Sequence, residues 1–169
     1  MVSETQEHDL AVEILTAAFA DDPLVHWLFP DPADRDHRQA RFYRAQLPFA
    51  QTHVIGTEAA ALWLKVLAPA PAPDGDGRLQ ELGRALAGRH PREPHLYLSC
   101  MGVIPGRRGA GLGSELLRDG LEGAELGVYL EASSPRSRDL YLRHGFADLG
   151  EPVQVADSPL LWPMFKENR

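Results

Sequence analysis

The chain has 169 residues, of which 44% are hydrophobic and 24% charged, with a formal net charge of −7 and a single cysteine, Cys100. This length suits one compact domain over 1–169, and no apolar run approaches the roughly 20 residues of a membrane helix. The acidic balance argues against a nucleic-acid partner, while a lone cysteine excludes an internal disulfide and is typical of a reducing cytoplasm. The N-terminus has no secretory pattern, so we expect a cytoplasmic protein.

The first half of the sequence predicts helices followed by a hairpin. The segment "EHDLAVEILTAAFADDP" has helical periodicity that ends before Pro23, and Asp22 and Pro23 predict the start of a second, short helix. A third helix is predicted from about 33 to 47. The runs "HVIG" and "AAALWLKV" then predict two strands joined by a tight turn at 56–58.

The second half alternates strands and helices after a Pro- and Gly-rich surface loop at 68–77. Predicted in order are a helix at 78–89, the strand "HLYLSCMGV", a helix in "GLGSELLRDGLEGAEL", the strand "GVYLEAS", a helix in "SPRSRDLYLRHG", and closing strands "FADL", "VQVA" and "LLWPMF". We expect Cys100, within its apolar strand, to be a core residue. The order predicts an α/β (α+β) fold, a mixed central sheet of about six to seven strands flanked by helices.

The segment "GRRGAGLG" at 106–113 lies between a strand and a helix, an arrangement that collects backbone N–H groups at a helix N-terminus and so predicts an anion site. Leu112 replaces the lysine of a nucleotide-hydrolysing loop. Gly109 and Gly111 match the first two glycines of a dinucleotide fingerprint, with Glu131 at the ribose position, but Ser114 replaces the third glycine. A glycine turn with two solvated arginines is the alternative to an anion site.

The stretch "VIPGRRGAGLGSELL" resembles the acyl-CoA loop of the GNAT N-acetyltransferase superfamily, whose pattern is R/Q-x-x-G-x-G/A after a strand ending V-x-P. Arg108, Gly111 and Gly113 match that pattern. A second block, "YLEASSPRSRDLYLRHGF", is similar to the strand and helix that follow in the family. The two blocks cover about residues 95–147. More narrowly, "AAFADDP", "HPREP" and "LEASSPR" resemble the puromycin N-acetyltransferase type.

The resemblance implies a GNAT fold whose sheet is splayed beside the cofactor strand, and an acetyl-CoA site. The residues that would bind its pyrophosphate are Arg108, Gly109, Ala110, Gly111, Leu112, Gly113 and Ser114. The backbone of Met101, Gly102 and Val103 would pair with the pantetheine arm. Ser137 stands where relatives often have an asparagine that contacts the cofactor, and its hydroxyl is shorter than that amide.

Acyl transfer to an amine needs a proton for the departing thiolate and an acceptor for the amine proton. Tyr141 matches the general-acid tyrosine of the family, and phenols are largely protonated at neutral pH. The sequence does not identify the group that accepts the amine proton. Glu131 ends a strand that would face the cleft, and a capping or ion-pairing role is its alternative. An amine that arrives neutral, or loses its proton through water, would need no dedicated base. The acceptor wall of relatives corresponds to a segment that includes Asp21, Asp22, His26, Trp27 and Phe29, for which a structural role is the alternative.

These observations predict an acetyl-CoA-dependent N-acetyltransferase that transfers acetyl to a primary amine of a small molecule by direct attack in a ternary complex. The alternative is a GNAT-fold module that binds acyl-CoA without catalysis. The seven histidines have no metal-ligand spacing, so we expect no metal. We expect a small-molecule amine partner, no nucleic-acid or membrane partner, and a monomer or homodimer.

Overall fold

The computed structural model describes residues 2–169. Over these residues there are six α-helices, which are α1 (Glu4–Ala18), α2 (Pro23–Leu28), α3 (Arg35–Gln46), α4 (Arg78–Ala87), α5 (Leu112–Leu121) and α6 (Pro135–Arg143). The same residues contain six strands, which are β1 (Ala50–Ile55), β2 (Ala59–Val66), β3 (His95–Val103), β4 (Val128–Ala132), β5 (Ala147–Asp148) and β6 (Trp162–Lys166).

The six strands form one mixed sheet in the order β1-β2-β3-β4-β6-β5. The pairs β1–β2, β4–β6 and β5–β6 are antiparallel, whereas β3 and β4 are parallel. Among the described residues, the β3–β4 ladder joins only Leu96 with Val128 and Tyr97 with Tyr129. A mixed sheet flanked by helices was the predicted fold class, and it is confirmed.

The chain divides into two compact units, and β3 contributes residues to both. The first unit consists of 2–64 and Leu98–Ala124. Its helix α1 begins with a capping box, in which the Ser3 hydroxyl accepts from the Gln6 backbone and the Gln6 side chain accepts from the Ser3 backbone. Its core is apolar and includes the predicted core cysteine; the buried members are Ala11, Val12, Ile14, Leu15, Tyr43, Leu47, Ala60, Leu62 and Cys100.

The second unit consists of Lys65–Tyr97 and Glu125–Arg169. Strand β4 pairs with β3 on one edge and with β6 on the other, and its residues Val128, Tyr129 and Leu130 are at most 2% exposed. Helix α6 begins at Pro135 and is capped by Ser134, as predicted, with a second capping box between Ser134 and Ser137. It ends before Gly145, whose φ of +89° favours glycine.

Two details of the predicted elements are wrong. The segment "VQVA" forms no strand, and only Val153 makes a bridge, to Leu161. The reason is a local turn, because the Val155 backbone N–H is taken by the Ser158 hydroxyl and the Val155 carbonyl by the Ser158 N–H. The helix predicted at 111–126 ends at Leu121, because the chain turns at Gly123 with φ +71°.

Gly120 of α5 packs directly against Trp63 of β2, which leads to a stability prediction. A Cβ at Gly120 would lie 2.1 Å from Cζ2 of Trp63. We expect Gly120→Ala to lower the free energy of unfolding by about 1–3 kcal/mol, since overpacking outweighs the gain in helix propensity. Urea denaturation measures this difference.

The matched control is Gly88→Ala. Gly88 ends α4 with φ −74°, and an added Cβ would meet nothing within 4 Å. This variant should keep or slightly raise the parent's stability. A Gly120→Ala protein as stable as Gly88→Ala would contradict the close packing of α5 on Trp63.

Candidate active site

The glycine loop connects β3 to α5 within the first unit. Residues 105–107 form a short 3-10 turn, and Gly109 and Gly111 then adopt φ of +82° and +85°. An added Cβ at Gly111 would meet no atom within 4 Å. Gly111 is therefore favoured because of its positive φ and not because a side chain would clash. Its backbone conformation sets the direction in which α5 begins.

Both arginines of this loop form ion pairs within the first unit. Arg108 binds Asp21 in a bidentate manner, with Nη2–Oδ1 and Nη1–Oδ2 distances of 3.0 and 3.2 Å, and its Nη2 also donates to the carbonyl of Ala18 at 2.6 Å. Arg107 Nε lies 2.9 Å from Glu58 Oε1. The hydrogen bond from Arg108 lowers the pKa of Asp21. The two arginines are thus paired with protein carboxylates, although both remain exposed at the surface.

The N-terminus of α5 is the place where the sequence predicts an anion site. Gly111 is the N-cap and, having no side chain, makes no side-chain cap hydrogen bond. Backbone N–H groups at such an end carry the positive pole of the helix dipole, which attracts phosphate. The predicted cofactor residues Gly109, Ala110 and Gly111 are all exposed, whereas Leu112 is buried beneath them.

Strand β3 ends in the three residues predicted to pair with a pantetheine arm. Met101 and Val103 are half-buried, and Gly102 is buried. A Cβ at Gly102 would lie 2.7 Å from Cβ of Ala18 and 3.0 Å from Cε2 of Phe19. Gly102 is therefore needed where α1 packs against β3.

The predicted acceptor-wall residues are engaged in local contacts. Asp22 Oδ1 accepts from the N–H groups of Leu24 and Val25 at 2.8 and 3.1 Å, and so caps α2. His26 Nε2 lies 2.7 Å from the carbonyl of Ala20. Trp27 and Phe29 are only 8% and 4% exposed. These contacts give all four residues a structural role in the first unit.

Helix α6 of the second unit carries Tyr141 and Ser137. Tyr141 is 7% exposed, and its ring meets the Phe146 ring edge-on with centroids 5.8 Å apart. The Ser137 hydroxyl belongs to the helix cap, where it accepts from the Ser134 N–H at 3.2 Å and donates to the Ser134 carbonyl at 3.0 Å. In this structure Ser137 thus stabilises the start of the helix that carries Tyr141.

Glu131 lies on β4 among polar residues that sequence reasoning did not select. Its side chain is 6% exposed, the Tyr97 hydroxyl donates to its Oε1 at 2.5 Å, and His90 Nε2 lies 3.6 Å from its Oε2. Burial raises the pKa of Glu131, and the hydroxyls of Tyr129 and Tyr97 act in the opposite direction. The missed signal is the alternation H-x-Y in β3 and Y-x-E in β4, which places His95, Tyr97, Tyr129 and Glu131 on one face of paired parallel strands.

Residues 2–169 contain neither a candidate metal site nor a candidate membrane-spanning helix. No group of three or more His, Cys, Asp or Glu side chains is arranged to hold a metal ion there. In the same part of the chain, no helix has the length and apolarity required to cross a membrane.

The sequence profile of the acetyltransferase (GNAT) family matches residues 24–146. The chain is 25% identical to a Corynebacterium glutamicum protein named "histone acetyltransferase HPA2 and related acetyltransferase", with a TM-score of 0.73 over 100% of this chain and 95% of that one. It is 14% identical to arylalkylamine N-acetyltransferase 2 from Aedes aegypti, with a TM-score of 0.69 over 99% and 97% of the two chains. At that lower identity the similarity shows a shared fold.

The contacts of Asp22 generate a prediction that separates helix capping from charge. Asp22→Ala should lower the free energy of unfolding by about 1 kcal/mol, because the N-cap acceptor is lost. Asp22→Asn keeps an acceptor oxygen and is the matched control. Burial raises the pKa of Asp22, so the parent should lose stability relative to Asp22→Asn as the pH rises through that pKa. Thermal denaturation across acidic to neutral pH measures both effects; equal stability of all three proteins would contradict the cap.

Proposed function

The chain belongs to the acetyltransferase (GNAT) family and is an acyltransferase, and from this premise we propose that it transfers the acetyl group of acetyl-CoA to a primary amine of a small molecule. The observation that carries the proposal is the uncapped N-terminus of α5 behind two glycines with positive φ, among the residues that the structure describes. The residues present fit a pyrophosphate, since backbone N–H groups bind one without a dedicated lysine.

In the proposed site, residues Arg108 to Ser114 bind the pyrophosphate through the backbone, and Met101, Gly102 and Val103 bind the pantetheine arm. Acetyl-CoA supplies the acetyl group as an activated thioester. Arg108 acts indirectly, because its guanidinium is bound to Asp21 and the Ala18 carbonyl and so ties the loop to the end of α1. Ser137 acts through the cap of α6.

The proton transfers are proposed for Tyr141 and Glu131. The Tyr141 hydroxyl donates a proton to the departing sulfur, and Glu131 takes a proton from the amine directly or through water. Direct attack by the amine is favoured because Cys100, the chain's one cysteine, is buried in the core of the first unit. A covalent acyl-enzyme would need an accessible nucleophile.

The acceptor is proposed as a small cation. A net charge of −7 attracts protonated amines through long-range electrostatics. The Aedes aegypti relative is named for arylalkylamines, which makes that class a first choice for screening. Aminonucleosides are a second choice, because of the resemblance to the puromycin N-acetyltransferase type. We propose that one domain over 1–169 carries this activity in the cytoplasm.

Cofactor binding is tested by calorimetry with acetyl-CoA, with NADH and ATP as comparison ligands. We expect acetyl-CoA to bind and the other two to bind much more weakly. Gly111→Ala should weaken acetyl-CoA binding by about tenfold, because alanine disfavours a positive φ by about 1–2 kcal/mol. Gly106→Ala lies in the same loop, where an added Cβ meets nothing within 4 Å, and should bind as the parent does. Preference for NADH or ATP would contradict the cofactor assignment.

The role of Tyr141 is tested by thiol release with a panel of arylalkylamines, aminonucleosides and polyamines. Tyr141→Phe should reduce kcat on the order of 100-fold or more while the affinity for acetyl-CoA stays unchanged, since a proton donor is lost and no cofactor contact is removed.

The control for the loss of a buried hydroxyl is Tyr43→Phe, which removes the hydrogen bond to Gln39 in the first unit. This variant should lose stability and keep its kcat. If Tyr141→Phe keeps the parent kcat, Tyr141 has no role in the chemistry. If acetyl-CoA binds and no amine is acetylated, the proposed transfer fails.

A further inference from the structure

A cluster of five polar or aromatic side chains lies in the second unit around Glu131, and most of it has no part in the reaction described so far. The cluster, called the His–Glu cluster below, consists of His90, His95, Tyr97, Tyr129 and Glu131. The His90 ring lies 4.1 Å from the Tyr129 ring and 4.6 Å from the Tyr97 ring, centroid to centroid. His95 and Tyr129 are at most 1% exposed, so these polar groups are desolvated and must satisfy one another.

The hydrogen bonds of the cluster fix where the ring protons lie. His95 Nδ1 is 2.8 Å from the carbonyl oxygen of Glu93, which can only accept, so His95 Nδ1 donates. In neutral His95 the Nε2 atom therefore accepts, and it lies 3.0 Å from Nδ1 of His90. His90 Nδ1 must then donate to His95. It follows that His90 Nε2 carries a lone pair in the neutral ring.

That lone pair faces Glu131. His90 Nε2 lies 3.6 Å from Glu131 Oε2. Neither the buried Oε2 nor the Tyr129 hydroxyl has a hydrogen-bond partner of normal geometry among residues 2–169, although this hydroxyl is near enough to Glu131 to lower its pKa. An ionised Glu131 would set a carboxylate oxygen against a nitrogen lone pair in a desolvated position. One proton between the two atoms removes this conflict, whether it resides on the carboxyl or on the ring.

We propose that ionised Glu131 is the acceptor for the amine proton and that the pair then holds this single proton between Oε2 of Glu131 and Nε2 of His90, with His95 fixing the orientation of the His90 ring. His90 is a positioning residue, because it acts through Glu131. The inference rests on the proposed function and adds a residue to it.

The step balances as a simple proton transfer. The N–H bond of the substrate ammonium breaks, its electron pair stays on nitrogen, and an O–H bond forms on Glu131. Acetylation of an ammonium by a thioester releases one proton overall, and that is the proton the pair takes up. Because the His90 side chain is 21% exposed, it gives the proton a route to solvent that Glu131 alone, at 6%, does not have.

The other groups around the pair agree with this assignment. Burial and the neighbouring His95 lower the pKa of His90 to about 4, so the ring is neutral and accepts at neutral pH. Burial raises the pKa of Glu131. Tyr97 donates to Oε1, and burial raises the pKa of Tyr129 beside it. Arg89 acts on Tyr129 in the opposite direction, and its guanidinium is bound to the carbonyls of Leu149 and Glu151.

The first test is infrared spectroscopy of the protein without substrates across a pH titration. We expect a protonated carboxyl band that Glu131→Gln removes. In His90→Gln, whose amide can donate to the carboxylate, the band should shift and its titration midpoint should fall by about one pH unit. In Tyr97→Phe the midpoint should rise, because a hydrogen bond to the ionised form is lost. The exposed His37 on α3 provides the control His37→Gln, which should match the parent.

Opposite shifts in His90→Gln and Tyr97→Phe would support the pair, and either variant suffices if the other does not fold. A carboxyl band unchanged by both variants, or no band that Glu131→Gln removes, would overturn it. This readout needs no acetylation, so it separates failure of the pair from failure of the proposed function.

The second test is the pH profile of kcat/KM for an amine substrate. The acidic limb should move to lower pH by about one unit in His90→Gln and disappear in Glu131→Gln, with unchanged affinity for acetyl-CoA. His37→Gln should keep the parent profile. If the infrared band responds to His90→Gln but the profile does not, the pair holds a proton without serving the reaction, and its proposed role is overturned.

Discussion

The short parallel ladder between β3 and β4 is the constraint on which the chemistry of the second unit depends. It pairs Tyr97 with Tyr129, and since side chains alternate along a strand, this register puts His95, Tyr97, Tyr129 and Glu131 on one face. A slip of one residue would move Tyr129 and Glu131 to the other face. The core also resists such a slip, because it would exchange these polar side chains for Val128 and Leu130, which are almost completely buried.

At the proposed anion site of the first unit, the positive potential comes from the backbone and not from charged side chains. Arg107 and Arg108 are neutralised by Glu58 and Asp21, so neither guanidinium is a simple point charge for a ligand. Their ion pairs fix the loop to the residues before β2 and after α1. The attraction for phosphate then comes from the N-terminus of α5, whose direction is set by the positive φ of Gly111.

Much of the fold could be predicted because its signals are local. The starts of α2 and α6 follow from Asp22-Pro23 and Ser134-Pro135, and the β1–β2 turn follows from Gly56, with φ +52°. Contacts between distant residues could not be predicted in this way. Asp21 pairs with Arg108, which is 87 positions away in the sequence. The strand-like segment that contains Val155 forms a turn, because the Val155 N–H donates to the Ser158 hydroxyl.

The residues of the candidate site also fall into those that local sequence patterns indicate and those that only long-range contacts reveal. A pattern within a few residues identified the glycine loop, Tyr141 and Glu131, and the placement of their side chains came from the structure. His90 lies 41 positions from Glu131 in sequence, in a segment without regular structure between α4 and β3. Its relevance depends on two hydrogen bonds, from His95 to Glu93 and from His90 to His95. No periodic pattern in the sequence predicts these two consecutive hydrogen bonds.

The burial of Glu131 has a consequence for the energetics of amine acetylation. An ammonium beside a buried carboxylate is an ion pair whose desolvation cost is of the order of several kcal/mol per ion. Transfer of the proton converts that pair into a neutral amine and a neutral acid, which a weakly polar surrounding tolerates better. In the proposed reaction, the burial that makes ionised Glu131 unfavourable thus favours the nucleophilic form of the amine. A lone pair on His90 opposite Oε2 adds to this preference, because it can accept a hydrogen bond only from the protonated carboxyl.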